Sequence, residues 1–164
     1  MIRIAKLEDL PAIVAIYNEG VASRFATADT APVTLDSRRE WFAEHAPMSH
    51  PIFVWEAANE IKGWCSLSPY RCGRAALRFT AEISYYVRAD SRRKGIASSL
   101  LQHSFGACPS LRIKNIFAIV LELNPASRNL LEKFKFEPWG FLPRVADFDG
   151  HECGHVYYGR RIAW

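Results

Sequence analysis

The stretch from Ile83 to Leu121 constrains the fold more than any other part of the chain. Ile83-Ser84-Tyr85-Tyr86-Val87 reads as a strand and Arg92-Arg93-Lys94-Gly95 as a short basic turn. Ile96 to Phe105 follows as a helix with Ile96, Leu100, Leu101 and Phe105 on one side, and Ile116 to Leu121 is apolar at every position. Continuous apolarity suits a strand covered on both faces, as in parallel sheets. Parallel strands need a crossover connection, which is right-handed almost without exception. The segment therefore predicts a βαβ unit whose helix starts beside the carboxyl end of its first strand.

That location has a chemical consequence. The first turn of a helix leaves backbone N–H groups without intrahelical partners, and their dipoles favour an anion in front of them. Arg92, Arg93 and Lys94 add charge-assisted donors, and Gly95 has no Cβ to obstruct a closely approaching phosphate. The turn reads as a cradle for the pyrophosphate of a nucleotide-like cofactor.

Around this unit the pattern is that of a mixed α/β sheet. Ile2 to Ala5 predicts a short strand, and Asp9 offers an N-cap to a helix that carries Leu10, Ile13, Val14, Tyr17 and Val21 on one face, with Pro11 in its first turn. Gly20 to Pro32 breaks the period, and Thr34 offers a cap to a second helix containing Leu35, Trp41 and Phe42. Ile52 to Ala57 and Ile61 to Leu67 predict a hairpin across Ala58-Asn59-Glu60, with a third antiparallel strand from Leu77 to Val87. Asn124-Pro125 starts a helix running to Phe134, and Trp139 to Leu142 and Val156 to Ile162 close the chain as strands, with a turn at Asp149-Gly150. Without a repeat or a linker, residues 1–164 read as one domain.

Composition narrows the function. A net charge of +4 with 49% hydrophobic and 23% charged residues is that of a globular protein. The basic residues are dispersed, and with no nucleic-acid motif present a nucleic-acid partner is not expected. No apolar run reaches the roughly 18 residues of a membrane span, and the start lacks a signal-peptide core, so the expected location is the cytoplasm without membrane attachment. Cys65, Cys72, Cys108 and Cys153 have no CxxC pairing and read as free thiols. His151 and His155 would share a metal only on a helix, and the adjoining Gly154 and Val156-Tyr157-Tyr158 predict a hairpin instead, so no metal is expected.

Arg92, Gly95 and Ala97, set after a strand with an acidic residue and before a buried strand ending near Asn124 and Ser127, resemble the Q/R-x-x-G-x-G/A signature of the GNAT superfamily of N-acetyltransferases. The likeness extends to Tyr17-Asn18-Glu19, Phe25-Ala26-Thr27, Arg38, Trp41-Phe42, Thr80-Ala81-Glu82 and Asn124-Pro125-Ala126-Ser127, where the chain is similar to the phosphinothricin and methionine-sulfone acetyltransferase branch. The resemblance implies a mixed sheet of about seven strands with flanking helices, splayed between strands 4 and 5, and acetyl-coenzyme A as co-substrate. It implies that the main chain of Tyr85, Tyr86 and Val87 pairs with the pantetheine arm. Arg92, Arg93, Lys94, Gly95, Ile96, Ala97 and Ser98 would hold the pyrophosphate, with Asn124 and Ser127 on the arm. Tyr85 to Val87 also read as core aromatics and their neighbour, and Asn124 as a helix cap.

Transfer requires a neutral amine, because an ammonium has no lone pair for the thioester carbonyl. Strand alternation sets Arg78, Thr80, Glu82, Ser84 and Tyr86 on one face, which makes Glu82 the candidate general base, or else the partner of Arg78 in an ion pair. Arg71, Arg74 and Arg78 are candidates for an acceptor carboxylate, and Phe25 and Thr27, with Trp64 or Phe79, for its side chain. The chain departs from the family twice. Leu131 stands where many members have a Tyr or His proton donor, leaving water or Tyr85 near the thiolate, and Lys135-Phe136 replaces Gly-Phe, which suggests an altered turn. The expected reaction is direct acetylation of the α-amine of a small amino acid or analogue. A protein N-terminus or polyamine as acceptor, and a non-catalytic acyl-coenzyme A sensor, are the alternatives. The aromatic C-terminal strands and the ending Ile162-Ala163-Trp164 are compatible with a homodimer.

Overall fold

The computed structural model describes residues 1–162, so Ala163 and Trp164 of the terminal motif lie outside the described residues. One seven-stranded sheet organises the chain, in the order β1-β2-β3-β4-β5-β7-β6. Its strands are β1 (Ile2–Ile4), β2 (Ile52–Ala57), β3 (Glu60–Pro69), β4 (Thr80–Val87), β5 (Asn115–Leu121), β6 (Glu137–Phe148) and β7 (His151–Arg161). Every neighbouring pair is antiparallel except β4 and β5, which run parallel on either side of helix α3 (Ile96–Ala107).

The helices cover the two faces. On one, α1 (Leu10–Ser23) and α2 (Leu35–Ala43) pack Ile13, Ile16, Tyr17 and Trp41 against Val54, Trp64 and Tyr86. On the other, Leu100 and Leu101 of α3 and Leu131 of α4 (Pro125–Lys133) join Cys65, Leu67, Ala81 and Ile83 in the larger core. Adjacent residues of β3 and β4 thus point to opposite cores, as the two-residue period of a strand requires.

Local chemistry explains most boundaries. Thr34 caps α2 by accepting from the Ser37 N–H at 3.1 Å, and Asn124 caps α4 by accepting from the Ser127 N–H at 3.1 Å. The β2–β3 turn consists of Ala58 and Asn59, at φ 50° and 60°, and Asp149 and Gly150 turn β6 into β7 at φ 55° and 89°. Positive φ at both central residues matches the right-handed twist of a hairpin. Glu60 is consequently the first residue of β3 and not part of the turn.

Three expectations need correction. Asp9 does not cap α1 with its side chain. Its carboxylate accepts two hydrogen bonds from Arg3, at 2.7 and 2.9 Å, and one from the Lys6 N–H at 2.8 Å, tying β1 to the short helical turn before α1. The strand expected from Leu77 starts at Thr80, after a helical turn at Ala75–Leu77. The Lys135-Phe136 turn keeps a standard form: the Phe136 N–H reaches the Leu131 carbonyl at 3.0 Å and the Lys135 N–H the Glu132 carbonyl at 2.9 Å. Those two bonds form a Schellman helix end, and Lys135 adopts the left-handed φ of 61° that glycine usually supplies.

Candidate active site

β4 and β5 pair only from Thr80 to Glu82, opposite Asn115 to Phe117. Beyond Glu82 the two strands separate. A cleft of about 550 Å³ opens there, lined by Tyr85, Tyr86 and Val87 of β4, Ala118 to Val120 of β5, and Asn124 and Ser127 at the start of α4. The β4 edge facing the cleft is free to accept an extended ligand as an added strand.

The basic turn closes one end of this cleft. Arg92, Arg93, Gly95, Ile96, Ala97 and Ser98 all line it. Arg93 and Gly95 are both left-handed, at φ 61° and 79°, and no side chain caps α3 at Gly95. The first-turn N–H groups are therefore free of a side-chain cap, the arrangement that suits an anion. Two details differ. Lys94 does not line the cleft, because its ammonium donates to the Asp90 carbonyl at 2.9 Å. A Cβ added to Gly95 would meet nothing within 4 Å, so the left-handed backbone is what calls for glycine there.

Farther along, the Tyr85 hydroxyl and Ser127 Oγ lie 2.5 Å apart. The Ser127 N–H completes the α4 cap, and the residue lines the cleft. Burial pushes the Tyr85 phenol well above its ordinary pKa. Leu131 is fully buried in the core and lines neither cavity.

A second cavity, of about 370 Å³, adjoins the first, and Ala26, Ser84, Tyr86 and Ile119 line both. Its floor is three cross-strand pairs, Trp64 with Tyr86, Ser66 with Ser84, and Ser68 with Glu82. Aromatic rings form its wall: Trp64 lies 4.9 Å from Tyr86 and 5.7 Å from Trp41, and Tyr17 lies 5.0 Å from Tyr86, between ring centroids. Glu82 lines this space, and burial raises the pKa of its carboxyl. No ion pair or hydrogen bond engages that carboxylate among the described residues. The pairing with Arg78 does not form: Arg78 donates to the Ala75 carbonyl at 2.7 Å and stacks 4.2 Å from the Phe79 ring centre.

The substrate candidates separate. Thr27 lines the second cavity, where its hydroxyl lies 2.8 Å from the Tyr17 hydroxyl, which donates to Asp29 at 2.6 Å. Trp64 lines it as well, whereas Phe25 lines the cofactor cleft. Arg71, Arg74 and Arg78 are exposed on the loop between β3 and β4, and with Phe79 they line neither cavity. Sequence reasoning missed three residues. His155 lines the second cavity, set there by the pairing of β7 with β5 opposite Leu121. Ser68 also lines it, and its Oγ lies 3.0 Å from Nε2 of His45. Alternation along β3 from Trp64 could have found Ser68; nothing local in the sequence indicates His45.

A parallel pair that splays at a half-buried glutamate, with an anion cradle at one end of the gap and an aromatic cavity at the other, defines an acyl-coenzyme A-dependent transferase. The acetyltransferase (GNAT) domain model matches residues 1–137, and the chain belongs to that family of acetyl-coenzyme A-dependent N-acetyltransferases. It is 40% identical to YwnH of Bacillus subtilis, provisionally named a phosphinothricin acetyltransferase, over 99% of both chains. It is 37% identical to the L-methionine sulfoximine/L-methionine sulfone acetyltransferase of Pseudomonas aeruginosa, over 88% of this chain and 84% of that one. The phosphinothricin acetyltransferase of Sinorhizobium meliloti, solved with acetyl-coenzyme A, superposes with a TM-score of 0.91 at 26% identity, covering 99% of this chain and 88% of that one.

Proposed function

We propose that the protein acetylates the α-amine of a small amino acid or amino-acid analogue of the phosphinothricin or methionine-sulfone type, by direct transfer from acetyl-coenzyme A. The observation that carries this reading is the position of Glu82. It is the last β4 residue paired with β5, and it lines an aromatic cavity that opens onto the cofactor cleft. Aromatic faces and a carboxylate together attract an ammonium group. Once there, the ammonium gives a proton to Glu82, directly or through a water, and the freed lone pair attacks the thioester carbonyl. The C–N bond forms, the nitrogen, cationic once bonded, loses its second proton to water, and the C–S bond breaks with its electron pair leaving as the thiolate.

The resident thiols do not suit an acyl-enzyme. Burial pushes Cys65 and Cys108 up to about 12, far from a thiolate at neutral pH, and exposed Cys72 lines neither cavity. In this reading Arg92, Arg93 and the Gly95 to Ser98 amides hold the pyrophosphate, and Tyr85 to Val87 with Asn124 and Ser127 hold the pantetheine arm. Among the described residues no Lys or Arg lines the second cavity. A second copy of the chain is the partner we assign to edge strand β6, where Trp139, Phe141, Leu142 and Val145 are exposed.

Thiol release from acetyl-coenzyme A over a panel of amino acids, L-methionine sulfone, L-methionine sulfoximine and phosphinothricin tests the reading. Release with members of the panel is the expected result. Binding of acetyl-coenzyme A with no release over the panel or with peptides and polyamines would make the protein a sensor instead.

A further inference from the structure

A hydrogen-bonded chain that the transfer chemistry leaves unused runs from the second cavity to His45. His45, just beyond α2, places Nδ1 2.7 Å from the Trp41 carbonyl. A carbonyl accepts only, so Nδ1 carries the hydrogen and Nε2 keeps its lone pair. Nε2 lies 3.0 Å from Ser68 Oγ, which must then be the donor. Ser68 is the cross-strand partner of Glu82, and both line the cavity. Directly opposed residues of an antiparallel pair hold their Cβ atoms about 4.5–5.5 Å apart, within reach of a direct or one-water hydrogen bond. The Trp41 ring, 4.7 Å from the imidazole, supports it from α2.

We propose that His45, acting through Ser68, is the positioning residue that relays to solvent the proton Glu82 takes from the amine. The inference rests on Glu82 being the base. Protonated Glu82 gives its hydrogen to Ser68 Oγ as the Ser68 hydroxyl hydrogen passes to His45 Nε2. The serine ends neutral, and the imidazolium, half-exposed, releases its proton to water. No net charge accumulates in the cavity over a turnover. Burial lowers the pKa of His45, which keeps it neutral and able to receive. The other titratable groups facing this chain are Glu44 and His50 beside His45, and Tyr17, Tyr86 and His155 across the cavity.

Ser68→Ala, Ser68→Thr, His45→Gln and Glu82→Gln, assayed with acetyl-coenzyme A and L-methionine sulfone across pH 6–9, test the relay. Ser68→Ala and His45→Gln should lower kcat tenfold or more, leave the KM for acetyl-coenzyme A within twofold and shift the rising limb of the pH profile; Ser68→Thr should restore the rate. Glu82→Gln inactive with Ser68→Ala at wild-type rate and profile overturns the relay alone, as does failure of Ser68→Thr to restore. Glu82→Gln fully active overturns the base assignment itself. Independently of any acceptor, Glu82→Gln should lower the titration midpoint of His45 read by NMR, because it removes a nearby negative charge; an unmoved midpoint overturns the connection.

Discussion

Replacing Glu82 by glutamine removes the proposed base and keeps the shape, so its effect can be worked out from the amine. Unperturbed amines titrate between about 8 and 10.4, so at pH 7 the neutral fraction lies between roughly one part in ten and one in 2,500. A base that makes the whole bound population reactive is thus worth about ten- to 2,500-fold, or about 1.4–4.6 kcal/mol at 1.36 kcal/mol per decade, in line with the usual contribution of general bases. Glu82→Gln should lower kcat/KM for the acceptor at pH 7 by a factor in this range, leaving acetyl-coenzyme A affinity unchanged. The deficit should shrink about tenfold per pH unit as the solution supplies the neutral amine itself. Stability should move the other way. Burial raises the Glu82 pKa above its unfolded value, so the folded state gains from this group below the unfolded pKa and loses that gain as pH rises through the folded one. The variant should therefore melt at or above the wild-type temperature at pH 7, with the difference vanishing toward pH 4. Initial-rate kinetics from pH 6 to 9 and thermal melts over pH 4–8 check both limbs. A rate ratio constant with pH would refute the role of base, whatever its size.

The turn positions give further outcomes. Lys135 occupies a left-handed site at φ 61°, which costs a side-chain-bearing residue about 1–2 kcal/mol, while glycine returns about 0.4–1 kcal/mol through the unfolded chain. Lys135→Gly should therefore stabilise by up to about 1 kcal/mol in urea melts, without effect on activity. Gly95→Ala meets no atom but must hold φ at 79°. The strain of about 1–2 kcal/mol should show as lost stability in urea melts, and a turn that relaxes out of this φ to escape it should bind coenzyme A up to roughly 5- to 30-fold more weakly by calorimetry, with acceptor KM unchanged. Asp9→Asn breaks the bidentate pair with Arg3 and should cost about 1.5–3 kcal/mol at pH 7. Hydrogen bonds from Arg3 hold the Asp9 pKa below its usual range, so its contribution is present above the unfolded pKa and is lost as pH falls through the folded one. The gap between variant and wild type in denaturant melts should close below about pH 4.

The βαβ unit was legible because period and continuity in one short stretch dictate a parallel pair, a crossover and a helix start at one place. Alternation along β4 was enough to put Glu82 with Ser84 and Tyr86. What escaped depends on pairing between distant segments. His155 reaches the cavity because β7 aligns antiparallel to β5, with Leu121 opposite it, and no local pattern encodes that register. His45 lies in an irregular segment after α2 and meets Ser68 only through tertiary packing. The arginines mislead for a related reason: proximity to Glu82 in sequence is not proximity in space once the chain turns out of the strand at Thr80.

Leu131 shows why a family position and its chemistry can part. The residue is fully buried in the last turn of α4, and a tyrosine there would overpack a filled core by about 1–3 kcal/mol. Among the hydroxyl residues that line the cleft, Tyr85 and Ser127 bring theirs to 2.5 Å of each other. Tyr85 is a poor proton source, because burial lifts its pKa above the ordinary value of about 10, while a thiol sits near 8.5. Complete transfer from phenol to thiolate is uphill by more than about 2 kcal/mol, at 1.36 kcal/mol per unit. A hydrogen bond from that phenol to the departing sulfur has no such cost and stabilises charge as it develops. The thiolate is a stable enough anion near neutral pH to leave in that form and take its proton from water outside the cleft. Proton demand thus falls on the amine side alone, where Glu82 stands.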